Sequence, residues 1–181
     1  MSDRPQSADF EAAGPTVRPL DLAEFLPYRL SVLMNLISRG LARLYGERFG
    51  LTPPEWRVMA ALGRTPDLSA TEVAARSEMD KVQVSRAVGR LIRAGRVDRR
   101  TASGDRRRSV LRLTAAGTAI YARIVPLARA YEQALFGELT TAEARALDSM
   151  LTDLTRRARS LERQVATAKP DSAAAKPPDS R

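Results

Sequence analysis

The sequence predicts a mainly α-helical fold with one small β-hairpin, on the basis of three observations. Apolar residues recur every three or four positions through most of residues 21–163, which is the spacing of one helix face. Helix-start signatures precede five of these periodic segments. Only between residues 96 and 113 does the pattern change to two short segments of strand type. Residues 1–20 and 164–181 are rich in Pro, Ala and Ser, and we expect both to be disordered.

Each helix-start signature is a Ser, Thr or Asp followed three residues later by Glu or Gln, a pair that satisfies two free backbone N–H groups. The five pairs are Asp21/Glu24, Thr52/Glu55, Ser69/Glu72, Asp80/Gln83 and Thr140/Glu143. Thr52 is also followed by Pro53, a residue type favoured at the first helical position. These signatures define where the predicted helices begin.

The first helix is predicted over residues 21–48 and is apolar on two sides. One apolar set comprises Leu26, Leu30, Leu33, Ile37, Leu41 and Leu44, and the second comprises Phe25, Val32 and Leu36. The core of a single chain covers one helix face, so the second face needs another surface. We expect that surface to belong to a second subunit.

Three short helices and a hairpin follow. The helices are predicted over residues 53–62, 69–78 and 80–94. Gly95 is expected to end the last of them in the left-handed conformation. The second and third helices are separated only by about Met79 and form a helix-turn-helix. The strands are predicted over residues 96–100 and 108–113, with a turn between them. A hairpin in this position is a wing, so a winged helix-turn-helix lobe is expected over about residues 52–113.

Two long helices complete the fold. Thr114 is expected to cap a helix that ends near residue 136, and Thr140 to cap another that ends near residue 165. Pro126 lies inside the first of them, where it removes one backbone hydrogen bond and crowds the preceding turn. Because apolar residues keep helical spacing on both sides of Pro126, we expect a bend rather than a break.

Positive charge is concentrated in residues 76–112. This window holds twelve Lys and Arg residues and four acidic residues, so it carries +8 of the chain's formal net charge of +9. A polyanion-binding face needs such a concentration, because each phosphate that is neutralised releases a condensed counterion. The window therefore indicates a nucleic-acid-binding surface rather than an ordinary solvated one.

The helix predicted over residues 80–94 separates apolar from hydrogen-bonding side chains. Its apolar face comprises Val84, Ala87, Val88 and Leu91. Arg and Gln on the opposite side suit the major groove, because they pair with the edges of guanine and adenine. Arginines near the turn of the hairpin suit the minor groove, where the negative potential is enhanced. We predict DNA contacts at Ser69, Thr71, Lys81, Gln83, Ser85, Arg86, Arg90, Arg106, Arg107 and Arg108.

The residue types that the chain lacks argue against several other functions. With no Cys, a disulfide, a thiolate nucleophile and a cysteine zinc site are impossible, and with no His the commonest general base is missing. No phosphate-binding loop, nucleophile elbow or paired-carboxylate motif is visible. We therefore expect that the chain is not an enzyme and holds no metal or cofactor. No run of about 20 apolar residues and no signal peptide is visible, so we expect no membrane span and a cytoplasmic protein.

Three segments resemble the MarR family of dimeric winged helix-turn-helix transcription regulators, and the resemblance covers about residues 21–163. Residues 51–59, LTPPEWRVM, resemble the family's second-helix entry. Residues 84–88, VSRAV, with Leu91 and Gly95, resemble its recognition helix. Asp105-Arg106-Arg107, followed after five residues by Leu113-Thr114, resembles its wing signature.

The resemblance implies roles for particular residues. Arg107 would reach the minor groove from the wing tip, and Asp105 would hold that tip in shape. The first helix and the last two would intertwine into a dimer interface. Other members respond to aromatic acids, phenolics, drugs or CoA thioesters bound between the dimerisation helices and the DNA-binding lobe. The candidate effector-binding residues here are Tyr28, Arg29, Asn35 and Trp56, with Arg29 facing an anionic group. Members that sense peroxides use a Cys, so thiol sensing is excluded here.

The residues and the resemblance together predict a homodimeric, sequence-specific transcription regulator. We expect it to bind double-stranded DNA at a pseudo-palindromic operator, with half-sites about one helical turn apart. We also expect it to act as a repressor that a small-molecule effector releases by changing the spacing of the two recognition helices. The alternative that the same charge allows is a nonspecific, chromosome-associated protein that binds DNA or RNA without sequence preference.

Overall fold

The computed structural model describes residues 19–102 and 105–167. The side chains at 102, 105–108 and 165–167 lie outside the described part. The described chain contains helices α1 (Leu26–Phe49), α2 (Pro53–Arg64), α3 (Ala70–Ser77), α4 (Lys81–Arg93), α5 (Ala115–Phe136) and α6 (Thr141–Thr167). Strands β1 (Val97–Ala102) and β2 (Asp105–Leu113) pair between α4 and α5. The mainly α-helical class with a β-wing is therefore confirmed.

The chain divides into two compact units, Met1–Ile124 and Val125–Arg181. The first contains α1 to α4, the hairpin and the beginning of α5. The second contains the rest of α5 and α6. Among the described residues, no helix combines the length and the apolar character needed to cross a membrane.

Helix α1 begins at Leu26, so the predicted start at residue 21 is wrong. The Asp21 carboxylate does not cap a helix but accepts a hydrogen bond from the Ala23 backbone N–H at 2.8 Å, within a turn. Pro27 explains the later start, because it has no N–H and its ring would crowd the carbonyl four residues earlier in a helix begun at 21. In the first turn of a helix neither cost arises.

The N-terminal half of α1 is largely exposed, on both of its predicted apolar faces. Leu26, Leu30, Leu33, Val32 and Leu36 are each more than a third exposed. In α1, only Tyr45 and Phe49 are buried, both near its C-terminal end. Within a single chain, α1 therefore contacts the core only through its last turns.

The core of the first unit is formed by α2, α3, α4 and the hairpin. The predicted apolar face of α4 is confirmed, since Val84, Ala87, Val88 and Leu91 are each at most 1% exposed. The other fully buried side chains from these elements include Val58, Met59, Leu62, Val73 and Leu111. Burying side chains of this size stabilises the fold by about 1.5–3 kcal/mol each.

The hairpin is longer than the sequence pattern predicted. The strands pair in antiparallel register from Val97 opposite Leu113 to Thr101 opposite Ser109, with an irregularity after Thr101. A third short segment joins them, because the Leu111 N–H donates to the Leu68 carbonyl at 2.8 Å. A bridge of one residue has no period-two pattern, so it could not be predicted from the sequence.

Helix α5 continues through Pro126, as predicted, and the bend expected there stays a prediction. The predicted caps of the two long helices are confirmed. The Gly117 N–H donates to Thr114 Oγ1 at 3.0 Å. Thr140 and Glu143 form the reciprocal pair of hydrogen bonds before α6.

Candidate nucleic-acid interface

The turn between α3 and α4 is short and defined at both ends. Ser69 caps α3 in a reciprocal pair with Glu72, and Glu78 ends that helix in the left-handed conformation at φ 51°. Asp80 then caps α4 by accepting from the Gln83 N–H at 2.7 Å. Met79, between the two helices, is buried. The angle between α3 and α4 is therefore fixed by caps and by packing.

The outer face of α4 carries polar and cationic side chains. Its exposed predicted contacts include Lys81, Gln83, Ser85 and Arg86. Gln83 does not return the hydrogen bond to Asp80 that a full capping box would contain, so among the described residues its amide has no partner. Arg86 likewise forms no ion pair with any described residue. Both side chains are available to an external hydrogen-bonding partner.

Val82 is not among the predicted DNA contacts, yet its side chain is 57% exposed on the same face of α4. A β-branched apolar side chain at such a position suits the methyl group of thymine. Its position beside Gln83, on the polar side of the helix, could have indicated this contact from the sequence. Gly89 also faces open space, since no described atom lies within 4 Å of a Cβ placed there.

Arg90 differs from Arg86, because it is bound to α2. Its Nε donates to Glu55 Oε1 at 2.9 Å, and the second Glu55 oxygen accepts from the N–H and Oγ1 of Thr52, each at 2.7 Å. Burial alone would raise the pKa of Glu55, but the hydrogen bonds from Thr52 and Arg90 outweigh it and hold that pKa below its ordinary value. The Arg90–Glu55 pair spans 35 residues of sequence, so no local pattern could predict it.

The described side chains of the hairpin form two ion pairs. Arg112 of β2 pairs with Asp67, which precedes the bridging residue Leu68, and Arg100 pairs with Asp98 at 2.8 Å. The hydrogen bond from Arg112 lowers the pKa of Asp67, and that from Arg100 lowers the pKa of Asp98. Both pairs are exposed, so each contributes little to stability.

The predicted wing contacts concern Asp105, Arg106, Arg107 and Arg108. Their backbone belongs to β2, whereas their side chains lie outside the described part of the structure. The hairpin places these four positions at the end of the wing that is remote from α4 and α5.

The base of the hairpin is held by contacts to the end of α1 and to the start of α5. Arg96 donates from Nη2 to the Phe49 carbonyl at 2.7 Å, and its own carbonyl accepts from the Thr114 N–H at 3.1 Å. Gly117 of α5 packs directly on this point, because a Cβ there would lie 2.0 Å from the Arg96 carbonyl oxygen. The orientation of the wing thus depends on a close contact that only glycine permits.

Of the four candidate effector-binding residues, only Tyr28 and Arg29 are brought together in the described chain. Tyr28 and Arg29 line a groove of about 310 Å³, whose other walls are also α1 side chains or Ala23. Asn35 is exposed and does not line it. Trp56 is stacked between Tyr45 and Tyr121, with both ring-centre separations 5.9 Å. Among the described residues, no cluster of three or more acidic side chains is arranged to hold a metal ion.

Comparison with known proteins agrees with this geometry. The model of the MarR family matches residues 49–108, which run from the end of α1 into the hairpin. The transcriptional regulator HosA of Escherichia coli O157:H7 is 27% identical over 111 residues, covering 61% of this chain and 82% of HosA. The structure of PcaV from Streptomyces coelicolor, in complex with its natural ligand, is 26% identical and superposes with a TM-score of 0.63 over 80% of this chain and 98% of PcaV.

A second solved structure supports the fold alone. A MarR/EmrR family regulator from Acinetobacter sp. ADP1 is 24% identical and superposes with a TM-score of 0.72, covering 78% of this chain and 99% of that one. The matched residues include the helix-turn-helix and most of the wing, and thus the exposed polar face of α4. Residues 49–108 therefore match the MarR family, and the described fold is similar to that of solved MarR family regulators.

Proposed function

We propose that this chain is a homodimeric repressor that binds a pseudo-palindromic DNA operator sequence-specifically and is released by a small-molecule effector. The observation that carries the proposal is the separation of apolar and polar side chains on opposite sides of α4. Its apolar side is buried in the core, and its other side presents Gln83, Ser85 and Arg86 to the exterior without intramolecular partners among the described residues. Such a helix fits the major groove and can read base edges.

Phosphate contacts would hold α4 in position. Ser69 and Thr71 lie at the beginning of α3, where the free backbone N–H groups of a helix attract phosphate. Lys81 lies in the first turn of α4 and supplies a positive charge beside them. We assign Arg106, Arg107 and Arg108 to the minor groove beside this site, with Asp105 supporting the wing tip. Together these residues define a DNA-binding lobe over about residues 52–113.

Arg90 would have a different role from the one that the sequence suggested. Its Nε is engaged by Glu55, so only the outer part of the guanidinium group remains for DNA. A phosphate is then a better partner than a guanine edge, because it needs no fork in the plane of a base. We assign Arg90 to positioning α4 and Arg86 to reading bases.

The exposed apolar faces of α1 and α6 support a second copy as partner. On α1 the exposed residues include Leu26, Leu30, Leu33, Met34 and Leu36. On α6 they are Met150, Leu151, Leu154 and Leu161, at helical spacing. Monomeric soluble proteins rarely expose contiguous apolar areas of this kind. A dimer would cover these faces and hold two copies of α4 at a fixed separation.

An effector would act on that separation. PcaV was solved with its natural ligand, and DNA binding by BpsR of Bordetella bronchiseptica is regulated by 6-hydroxynicotinic acid. By analogy, we propose an aromatic acid, a phenolic or a CoA thioester, with Arg29 facing its anionic group and Tyr28, Asn35 and Trp56 forming walls in the dimer. The effector must bind the operator-bound dimer more weakly, since it can shift the equilibrium only by its differential affinity.

Sequence-specific binding is tested with an operator selected from random duplexes. We expect Arg86→Ala to lose about 1–3 kcal/mol of discrimination at one or two base pairs and little at the others. Arg48→Ala, which removes an equal charge from exposed α1, is the matched control and should leave the base preference unchanged. Equal affinity of the wild-type protein for operator and random DNA would favour nonspecific binding instead.

A further inference from the structure

A groove on the outer side of α2 is lined by three arginines. Its volume is about 470 Å³, and its lining residues are Arg57, Ala60, Ala61, Arg64, Arg76 and Ser77. The first four are spaced as i, i+3, i+4 and i+7, so they form one stripe along α2. We propose that this groove binds a small polyanion, whose phosphate or carboxylate groups reach at least two of the three guanidinium groups.

The groove has an apolar floor and cationic sides. Arg57 and Arg64 are seven residues apart on α2, which separates their backbones by about 10.5 Å along the helix axis. The methyl groups of Ala60 and Ala61 leave the space between them open. Arg76 approaches from the end of α3 and is held by a hydrogen bond from its Nη1 to Thr65 Oγ1 at 3.2 Å. A ligand would thus meet charges on separate sides of one concave surface.

The charge of the groove is uncompensated within the described chain. No acidic residue lines it, and none of its three arginines is ion-paired with a described carboxylate. Other arginines of the chain, such as Arg90 and Arg112, do have such partners. Three like charges around one groove repel each other, and a bound anion would relieve that repulsion. The planar fork of arginine matches phosphate and carboxylate groups in particular.

The position of the groove favours a small molecule over the operator. An α-helix turns about 100° per residue, so the stripe from Arg57 to Arg64 lies on roughly the opposite side of α2 from Glu55. Glu55 faces α4 through its bond to Arg90. A duplex lying along the outer face of α4 would therefore not enter the groove. Its volume is also within the range of about 300–1,000 Å³ that small-molecule sites occupy.

Calorimetric titration of the full-length protein with inorganic pyrophosphate, at constant ionic strength and without DNA, tests this inference. We expect saturable binding of one pyrophosphate per chain. The double variant Arg57→Gln/Arg64→Gln should raise the Kd by at least about tenfold, the factor expected for losing one charge-assisted contact. The matched control Arg43→Gln/Arg48→Gln removes the same charge from exposed α1 and should change the Kd by less than about twofold.

A second variant separates the shape of the groove from its charge. Ala60→Leu keeps all three arginines but fills the floor, so it should also weaken pyrophosphate binding. The inference is overturned if wild-type binding is not saturable, if the control weakens it equally, or if Ala60→Leu has no effect. It is also overturned if the Arg57/Arg64 variant loses only operator affinity, which would assign the groove to DNA. Because binding is measured without DNA, a failure of the proposed operator binding would leave these results intact.

Discussion

Replacing Glu55 by Gln is expected to weaken the connection between α2 and α4. The carboxylate accepts three hydrogen bonds, two from Thr52 and one from Arg90. A Gln side chain has one acceptor oxygen, so its NH₂ group must face either Thr52 or Arg90. Hydrogen bonds to a charged group contribute about 1.5–3 kcal/mol each, and screening at the 42% exposed Arg90 side chain reduces that contact. We therefore expect a loss of about 1.5–3 kcal/mol in total.

The loss should depend on pH in a defined direction. The pKa of folded Glu55 lies below its ordinary value of 4.5, so the ionised carboxylate stabilises the fold above the unfolded pKa. That contribution disappears as the pH falls through the folded pKa. The stability difference between the wild-type protein and Glu55→Gln should be complete at pH 7 and shrink below pH 4.5.

Urea unfolding at pH 7 and at lower pH measures both effects, with the m-value as a check that the two-state transition is unchanged. Arg90→Gln and the double variant complete a cycle that isolates the coupling between the two side chains. Additive losses, or a difference between wild type and Glu55→Gln that stays constant with pH, would refute the assigned contact. A weaker affinity of Glu55→Gln for the operator should accompany the loss of stability.

Two further predictions concern the base of the hairpin and the proposed dimer. Gly117→Ala should destabilise the protein by about 1–3 kcal/mol in urea unfolding, since its Cβ meets the Arg96 carbonyl; Gly89→Ala, in open space, is the control and should not destabilise. An unchanged midpoint for Gly117→Ala would contradict the close contact. Leu33→Asp should shift sedimentation toward the monomer and weaken operator binding, whereas Ser31→Asp on the other side of α1 should not. Equal effects of both would mean that charge, not the apolar face, controls assembly.

The sequence predicted those parts of the fold that depend on local chemistry. The buried face of α4 followed from apolar spacing, and the caps at Thr52, Ser69 and Thr140 followed from side chains three residues apart. Helix α1 begins later than predicted because Pro27 excludes the helix start that Asp21 indicates. This difference in the helix start thus arises from local backbone chemistry and not from a tertiary contact.

The features that the sequence could not predict are contacts between residues that lie far apart in the chain. The place of Arg90 on its helix predicts a DNA contact, and that prediction stays open; its contact with Glu55 on α2 has no local signal. The bridge from Leu68 to Leu111 and the stacking of Trp56 have the same origin. The exposed outer face of α4 could be predicted, but the ion pair that distinguishes Arg90 from Arg86 required the three-dimensional structure.

Three consecutive residues of α2 point to three different parts of the first unit. Glu55 reaches α4, Trp56 lies between two tyrosine rings, and Arg57 borders the arginine-lined groove. Because the helix is rigid, a small rotation about its axis would displace all three side chains at once. The chain has a single tryptophan, so its fluorescence would report such a rotation without any added label.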